Sequence, residues 1–240
     1  MTDGTAMRGL KVCIALLNIA VTVAFLYFEN RLSPAAMGIA VLFFTLSSAL
    51  HLTAHECGHL VGGAVSGYKL LCLQLGPLNI VSKKGKFVLV WKMSFDGQCV
   101  MIPEHTDPVR FMSYNIGGVI ANALIAVLSF TALITGSFRS RLLFIELIFV
   151  GIQKILLNTI PHKTGSVPND GYIVRLLKGN TAVQKDYAMY LRLYGKLFSA
   201  EDIKVQDFMY EREEPGNEEE MLYYNEIMDI LNSVNSQTNK

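Results

Sequence analysis

Two histidines four residues apart, with a glutamate beside the first, form the segment His55-Glu56-Cys57-Gly58-His59. No other residues in the chain are better placed to do chemistry. On a helix of 3.6 residues per turn both imidazoles project from one face and can share a metal ion. Glu56 stands about 100° further round, near enough to take a proton from water activated by that ion. Zinc suits such donors. It lowers the pKa of its water from near 16 to about 7, so that a carboxylate can help deliver hydroxide to a peptide carbonyl. Short motifs also arise by chance, and the same residues can serve as packing contacts. Here they occupy a long apolar segment, where idle ionisable groups are costly.

The segment must be positioned by its surroundings. Of 240 residues, 51% are hydrophobic and 17% charged, against about 25% charged in an average soluble domain. Lipid is therefore expected to be part of the solvent. Residues 12–28 form a first apolar span, preceded by Arg8 and Lys11 and without an obvious signal-cleavage site. A second starts at Ser33-Pro34, a capping residue followed by the proline favoured in a first turn, and runs to Val65. Its second half, from Thr45 to His59, becomes polar and should face protein or a water-filled cavity. A third span covers residues 111–134, with Gly117, Gly118, Ala121 and Ala123 allowing close packing. A fourth covers 142–157 and ends at Asn158 and Pro161.

Between the second and third spans the pattern changes. Leu71, Leu73 and Leu75 alternate with Cys72 and Gln74. A turn follows at Lys83-Lys84-Gly85-Lys86, then a run rich in β-formers from Phe87 to Phe95. A small sheet at the membrane surface is expected over residues 68–101. A short amphipathic helix is expected over 170–178. From Asn180 onward the chain reads as soluble and helical, with helix-like spacing over 187–198 and 221–231 and a break at 213–217. The fold class is thus an α-helical integral membrane protein with about four transmembrane helices, a membrane-surface β region and a C-terminal cytoplasmic helical segment. Its divisions are 1–32, 33–178 and 179–240.

Charge orients this arrangement. Residues 181–240 hold six basic and twelve acidic side chains, a net of −6, which leaves +7 on the first 180. No basic run is long enough to suggest nucleic acid as a partner. Lys83, Lys84, Lys86, Lys92 and Arg110 separate the second and third spans, whereas the opposite loops hold only Arg31, Arg139 and Arg141. The positive-inside rule then places both termini and the β region in the cytoplasm. The 20 residues from Ala35 to His55 rise about 30 Å, so the motif lies towards the cytoplasmic end of its span. Cys13, Cys57, Cys72 and Cys99 form no C-x-x-C pair and are expected to be reduced.

Catalytic zinc usually takes three protein ligands and a water. His51 lies one turn before the motif, but three successive histidines on a straight helix cannot close on one tetrahedral ion. It is expected to hydrogen-bond instead. Glu146 stands near the outer end of the fourth span, too far away. Asp170 follows the break in that span at the right depth and is the expected third ligand, although Asn169-Asp170-Gly171 would also make a good turn.

With these residues in place, the chain resembles the site-2 proteases, a family of intramembrane zinc metalloproteases. His55-Glu56-Cys57-Gly58-His59, Leu75-Gly76-Pro77, Gly117-Gly118-Val119-Ile120-Ala121-Asn122 and Asn158-Thr159-Ile160-Pro161 followed by Asp170-Gly171 are similar to its G-x-G-P, G-P-x-x-N and N-x-x-P…D-G segments around the HExxH helix, in the family's order. Val119 stands where proline is usual. The twelve residues from Asn158 to Asp170 exceed the usual spacing of about eight, so 162–168 reads as a short insertion. The resemblance covers about residues 35–178. It implies zinc held by His55, His59 and Asp170, Glu56 as catalytic base, and Asn122 and Asn158 holding the substrate backbone or the polarised carbonyl.

The expected activity is hydrolysis of peptide bonds in or beside the membrane span of an anchored protein or peptide, near the cytoplasmic face of a bacterial membrane. The β region either receives the unwound substrate as an added strand or simply covers the site. The acidic C-terminal segment either packs as a solvated helix or receives a regulatory partner. A non-catalytic zinc-binding membrane protein, serving immunity, transport or scaffolding, is the rival reading, and the intact Glu56 argues against it. A surface-acting metalloprotease with Glu146 as third ligand is another, opposed by Asp170-Gly171.

Overall fold

The computed structural model describes residues 4–83, 86–94, 96–104, 109–136, 138–164, 167–199, 203–210, 212 and 216–238. Its longest elements are helices α1 (Gly4–Phe28), α2 (Pro34–Val65), α3 (Phe111–Thr135) and α4 (Phe138–Thr159). Each of these four holds a stretch long and apolar enough to cross a membrane. The expected start of α2 holds: Ser33 Oγ accepts from the Ala36 amide at 3.2 Å, and Pro34 occupies the first helical position. The helix stops at Val65, and Gly67 just beyond it has a φ of 80°, a left-handed conformation that glycine adopts without strain. Helix α1 starts at Gly4, not near residue 12, and α4 at Phe138, not 142. Hydropathy marks where a helix stops being apolar, whereas Met7, Arg8, Leu10 and Lys11 are all good helix formers and extend it.

The chain forms two compact units. One comprises Met1–Gly58 and Ile116–Ile173, the other His59–Asn115 and Val174–Lys240. In the first unit Leu26, Ala40 and Leu142 are buried together. Many apolar side chains of its helices point outward, including Leu16 (60% exposed), Val41 (64%) and Leu128 (66%).

The second unit holds β1 (Tyr68–Leu75), β2 (Leu78–Lys83), β3 (Lys86–Trp91) and β4 (Gly97–Pro103) in one antiparallel sheet of order β3-β2-β1-β4. Leu71, Cys72, Val81 and Val100 form its buried cluster. At the opposite edge β3 is exposed along its length, Phe87, Leu89 and Trp91 included. Lys83 pairs with Lys86, as the expected turn requires. The turn tip (Lys84 and Gly85), Phe95 and residues 213–215 of the expected tail break lie outside the described residues.

After α4 come two-residue strands β5 (Lys163–Thr164) and β6 (Val167–Pro168), then α5 (Asp170–Leu177). The C-terminal segment is helical, with α6 (Thr181–Phe198), a 3-10 turn (Val205–Asp207) and α7 (Leu222–Thr238). Leu193, Phe208, Ile227 and Leu231 bury its apolar faces. Beside them Asp186 pairs with Arg212 at 3.1 Å and accepts from the Tyr210 hydroxyl. Burial pushes the Asp186 carboxyl up, against the pull of Tyr210 and Arg212.

Candidate metal centre

Helix α2 presents His55 and His59 on one face, and Asp170 is the first residue of α5. Each residue offers one ligand atom, and these atoms all lie within 4.8 Å of one another. Both imidazoles are buried and the carboxylate is partly so. His55 Nε2 stands 3.2 Å from Asp170 Oδ2. Ligand bonds of 2.0–2.2 Å around a tetrahedral zinc separate neighbouring donor atoms by about 3.3–3.6 Å. Two imidazoles and a carboxylate therefore form a buried group that can hold a metal ion, and their donor types suit zinc.

Asp170 reaches this position through its neighbour. The Asn169 side chain donates to the carbonyls of Leu157 and Ile160, both at 2.8 Å. Its Oδ1 accepts from the amides of Tyr172 (2.9 Å) and His162 (3.1 Å). The first two bonds tie it to the end of α4, and the Tyr172 bond caps α5. The long Asn158-to-Asp170 spacing is absorbed by the β5–β6 hairpin, in which Lys163 pairs with Pro168 and Thr164 with Val167. Residues 165 and 166 lie outside the described residues. Gly171 allows the close approach, because a Cβ there would meet the backbone carbonyls of Thr159 and Asn158. Asn169→Ala is expected to lose a helix cap, at about 0.5–2 kcal/mol, and to weaken metal binding. Asn169→Asp keeps the cap but not the two donated bonds. Chelator competition on both variants separates these contributions, and wild-type metal affinity in both would refute the tether.

The imidazoles are held from behind. His59 Nδ1 donates to the Tyr114 carbonyl at 2.7 Å, which leaves Nε2 for a metal. Tyr114 is itself fixed by its hydroxyl, which donates to the Cys99 carbonyl at 2.7 Å. Gly58 inside the motif answers to packing, since a Cβ on it would run into the Gly117 carbonyl of α3.

On the other side, Asn122 stands between two histidines. Its Nδ2 donates to His55 Nδ1 at 3.1 Å, and its Oδ1 is 2.9 Å from His51 Nδ1. His51 Nε2 donates to the Leu147 carbonyl at 2.8 Å. Those bonds require protons on both nitrogens of His51 and put the His55 proton on Nε2, the atom facing Asp170. A half-turn of the carboxamide exchanges its ends at the same distances. His51 Nδ1 then accepts from Nδ2, Oδ1 accepts from His55 Nδ1, and His55 Nε2 carries the lone pair that a metal needs. Gly151 makes room for this relay, because a Cβ there would sit 2.8 Å from the His51 ring. Asn122→Leu is expected to lower zinc affinity about 10- to 100-fold. Chelating-dye titration checks it, and unchanged affinity would show that the relay is idle.

His51 thus makes the hydrogen bonds expected of it and is not among the ligand atoms. Glu146 is buried and accepts from Thr22 Oγ1 at 2.7 Å, apart from the cluster. Asn158 donates to the Lys154 carbonyl at 2.9 Å within its own helix. Glu56 is buried beside His55, and Lys154 of α4 lies within electrostatic reach of it. Sequence reasoning missed Lys154. The available signal was a lone cation in the apolar run Gly151-Ile152-Gln153-Lys154-Ile155-Leu156. Asn169 was missed too, hidden by its resemblance to an ordinary turn residue. No family model, curated protein or solved structure matches the chain.

Proposed function

We propose that this chain is a zinc-dependent endopeptidase of the membrane, cutting anchored proteins or peptides in or beside their spanning segments. The observation that carries the reading is the convergence of His55, His59 and Asp170 within 4.8 Å, with Glu56 on the same helix. A structural zinc site is closed by four protein ligands, whereas a catalytic one keeps a position open, and three ligands beside a carboxylate suit the second. The membrane placement is supported by the four long helices and by the apolar side chains on their outer surfaces, where a water-soluble bundle would carry polar ones. The four segments resembling site-2 proteases point the same way, and the charge pattern favours a cytoplasmic-side site in a bacterial membrane.

Zinc in such a site supplies a Lewis acid that acidifies water and polarises a carbonyl. The chain's own residues do the rest. Asn122 and the Tyr114 carbonyl hold the two imidazoles in orientation, and Asn169 holds the carboxylate. Glu56 takes the proton from the attacking water and can return it to the leaving amide nitrogen. Lys154, within electrostatic reach of Glu56, can compensate negative charge that develops beside it. A peptide bond inside a helix must be unwound before attack, and the edge of β3, unpaired among the described residues, offers backbone partners to an extended segment.

The test is cleavage of a membrane-tethered reporter by the reconstituted chain and by Glu56→Gln. Cleavage that depends on Glu56 supports the hydrolase, and equal cleavage by both proteins overturns it. Comparing membrane proteomes of cells carrying either protein would then identify the substrate.

A further inference from the structure

Strand β3 is apolar on both faces and covered on neither. Successive side chains of a strand point to opposite sides of its sheet. Phe87, Leu89 and Trp91 point one way and are 64%, 66% and 69% exposed. Val88 and Val90 point the other way and are 40% and 36% exposed. The cover thins out across the sheet. On the first face the row Leu73–Ile80–Leu89 passes from buried on β1 through half-buried on β2 to exposed on β3. On the second, Asn79 and Val81 of β2 are buried, whereas Val90 and Val88 opposite them are not. In water such an edge would promote aggregation.

What surrounds the strand must therefore be apolar on two sides at once. A second copy adding its own β3 would pair the edge and leave the side chains of both faces bare. A lipid phase meets both. The charges point to an anionic leaflet. Between residues 68 and 103 the chain carries Lys69, Lys83, Lys84, Lys86 and Lys92 against Asp96 alone. Lys86 and Lys92 bracket the apolar run, and among the described residues neither they nor Lys83 belongs to an ion pair. Their stems can lie along apolar surface while the ammonium groups reach phosphates. The backbone sets the depth. Unpaired edge groups are not tolerated in hydrocarbon, but water satisfies them at the headgroup boundary, a level that tryptophan favours. Only Ser66 and Gly67 separate β1 from α2, which is long and apolar enough to cross a membrane, so the sheet is tethered at the end of such a helix.

We infer that β3 lies in the headgroup–acyl boundary of an anionic lipid leaflet, with lipid against both of its faces. The inference rests on the membrane placement proposed above and not on hydrolysis.

Trp91 is the only tryptophan in the chain, so its fluorescence reads β3 alone. The experiment uses the full chain in mixed phosphatidylcholine–phosphatidylglycerol vesicles. Lipids brominated near the carbonyl end of their chains should quench Trp91 at least about threefold more than lipids brominated near the methyl end, and aqueous acrylamide should quench it little. Vesicles of phosphatidylcholine alone should give weaker bromolipid quenching. Leu89→Glu, at an exposed position, should raise acrylamide quenching at least about threefold at an unchanged melting temperature. The bromolipid measurement needs no variant and stays decisive should Leu89→Glu fail to fold. Glu56→Gln should match the wild type, so loss of the protease reading would leave this result standing. Full acrylamide quenching in a chain that resists carbonate extraction would overturn the inference alone, and a chain extracted by carbonate would overturn the membrane placement with it. Protection from acrylamide without bromolipid quenching would put protein over β3 and overturn it too. Equal quenching in the two kinds of vesicle would overturn the anionic leaflet.

Discussion

Glu56→Gln should bind zinc as tightly as the wild type and cleave a membrane-tethered peptide about 10²- to 10⁴-fold more slowly. Glu56 is buried on the motif helix but is not one of the three converging ligand residues. Glutamine preserves its size and polarity and removes only the capacity to take a proton. The variant therefore isolates the base from the metal site. Zinc per chain by elemental analysis and reporter turnover in proteoliposomes give the two readings. Lost zinc would make Glu56 part of the binding apparatus, and undiminished turnover would end the case for it as base. A zinc-binding scaffold predicts a third pattern, with zinc bound by both proteins and turnover by neither.

Asp170→Ala should lower zinc affinity more than about 100-fold, beyond the range seen when only a ligand's supporting partner is removed. Two histidines from one helix would remain, and two donors hold zinc poorly. Glu146→Ala serves as the control, because that carboxylate bonds to Thr22 and lies apart from the cluster. Its zinc affinity should equal the wild type's. Full zinc binding by Asp170→Ala, with loss in Glu146→Ala, would transfer the ligand role to the fourth long helix.

The long helices and the sheet were legible because each rests on a local rule. Ser33-Pro34 marks a helix start whatever surrounds it, and the alternation of Leu71, Leu73 and Leu75 marks a strand. Helix ends were less legible: α1 extends beyond its apolar stretch into Met7, Arg8, Leu10 and Lys11, which favour helix on propensity alone, and α4 begins four residues before its own. At the site, the four-residue spacing of His55 and His59 announced itself. The relay from Leu147 through His51 and Asn122 to His55 did not. Its members are separated by up to 96 residues in sequence, and only the packing of α3 and α4 against α2 brings them together. Lys154 and Asn169 escaped for a related reason: their identities are commonplace, and only tertiary contacts give them a role.

The β5–β6 hairpin changes what counting residues can reveal. Where a chain runs directly from a helix to a ligand, each inserted residue displaces the ligand, and spacing works as a ruler. Here Asn169 clamps both ends of the excursion. Residues added in pairs at its tip preserve the alternation of the paired strands. They cost only loop entropy, about 0.6 kcal/mol for each doubling of length. Asp170 is thereby uncoupled from the contour length before it. The interval between β5 and β6 becomes the natural place to insert an epitope or a fluorophore without disturbing the candidate metal-binding group, and an interval of twelve residues carries no more information about the site than one of eight.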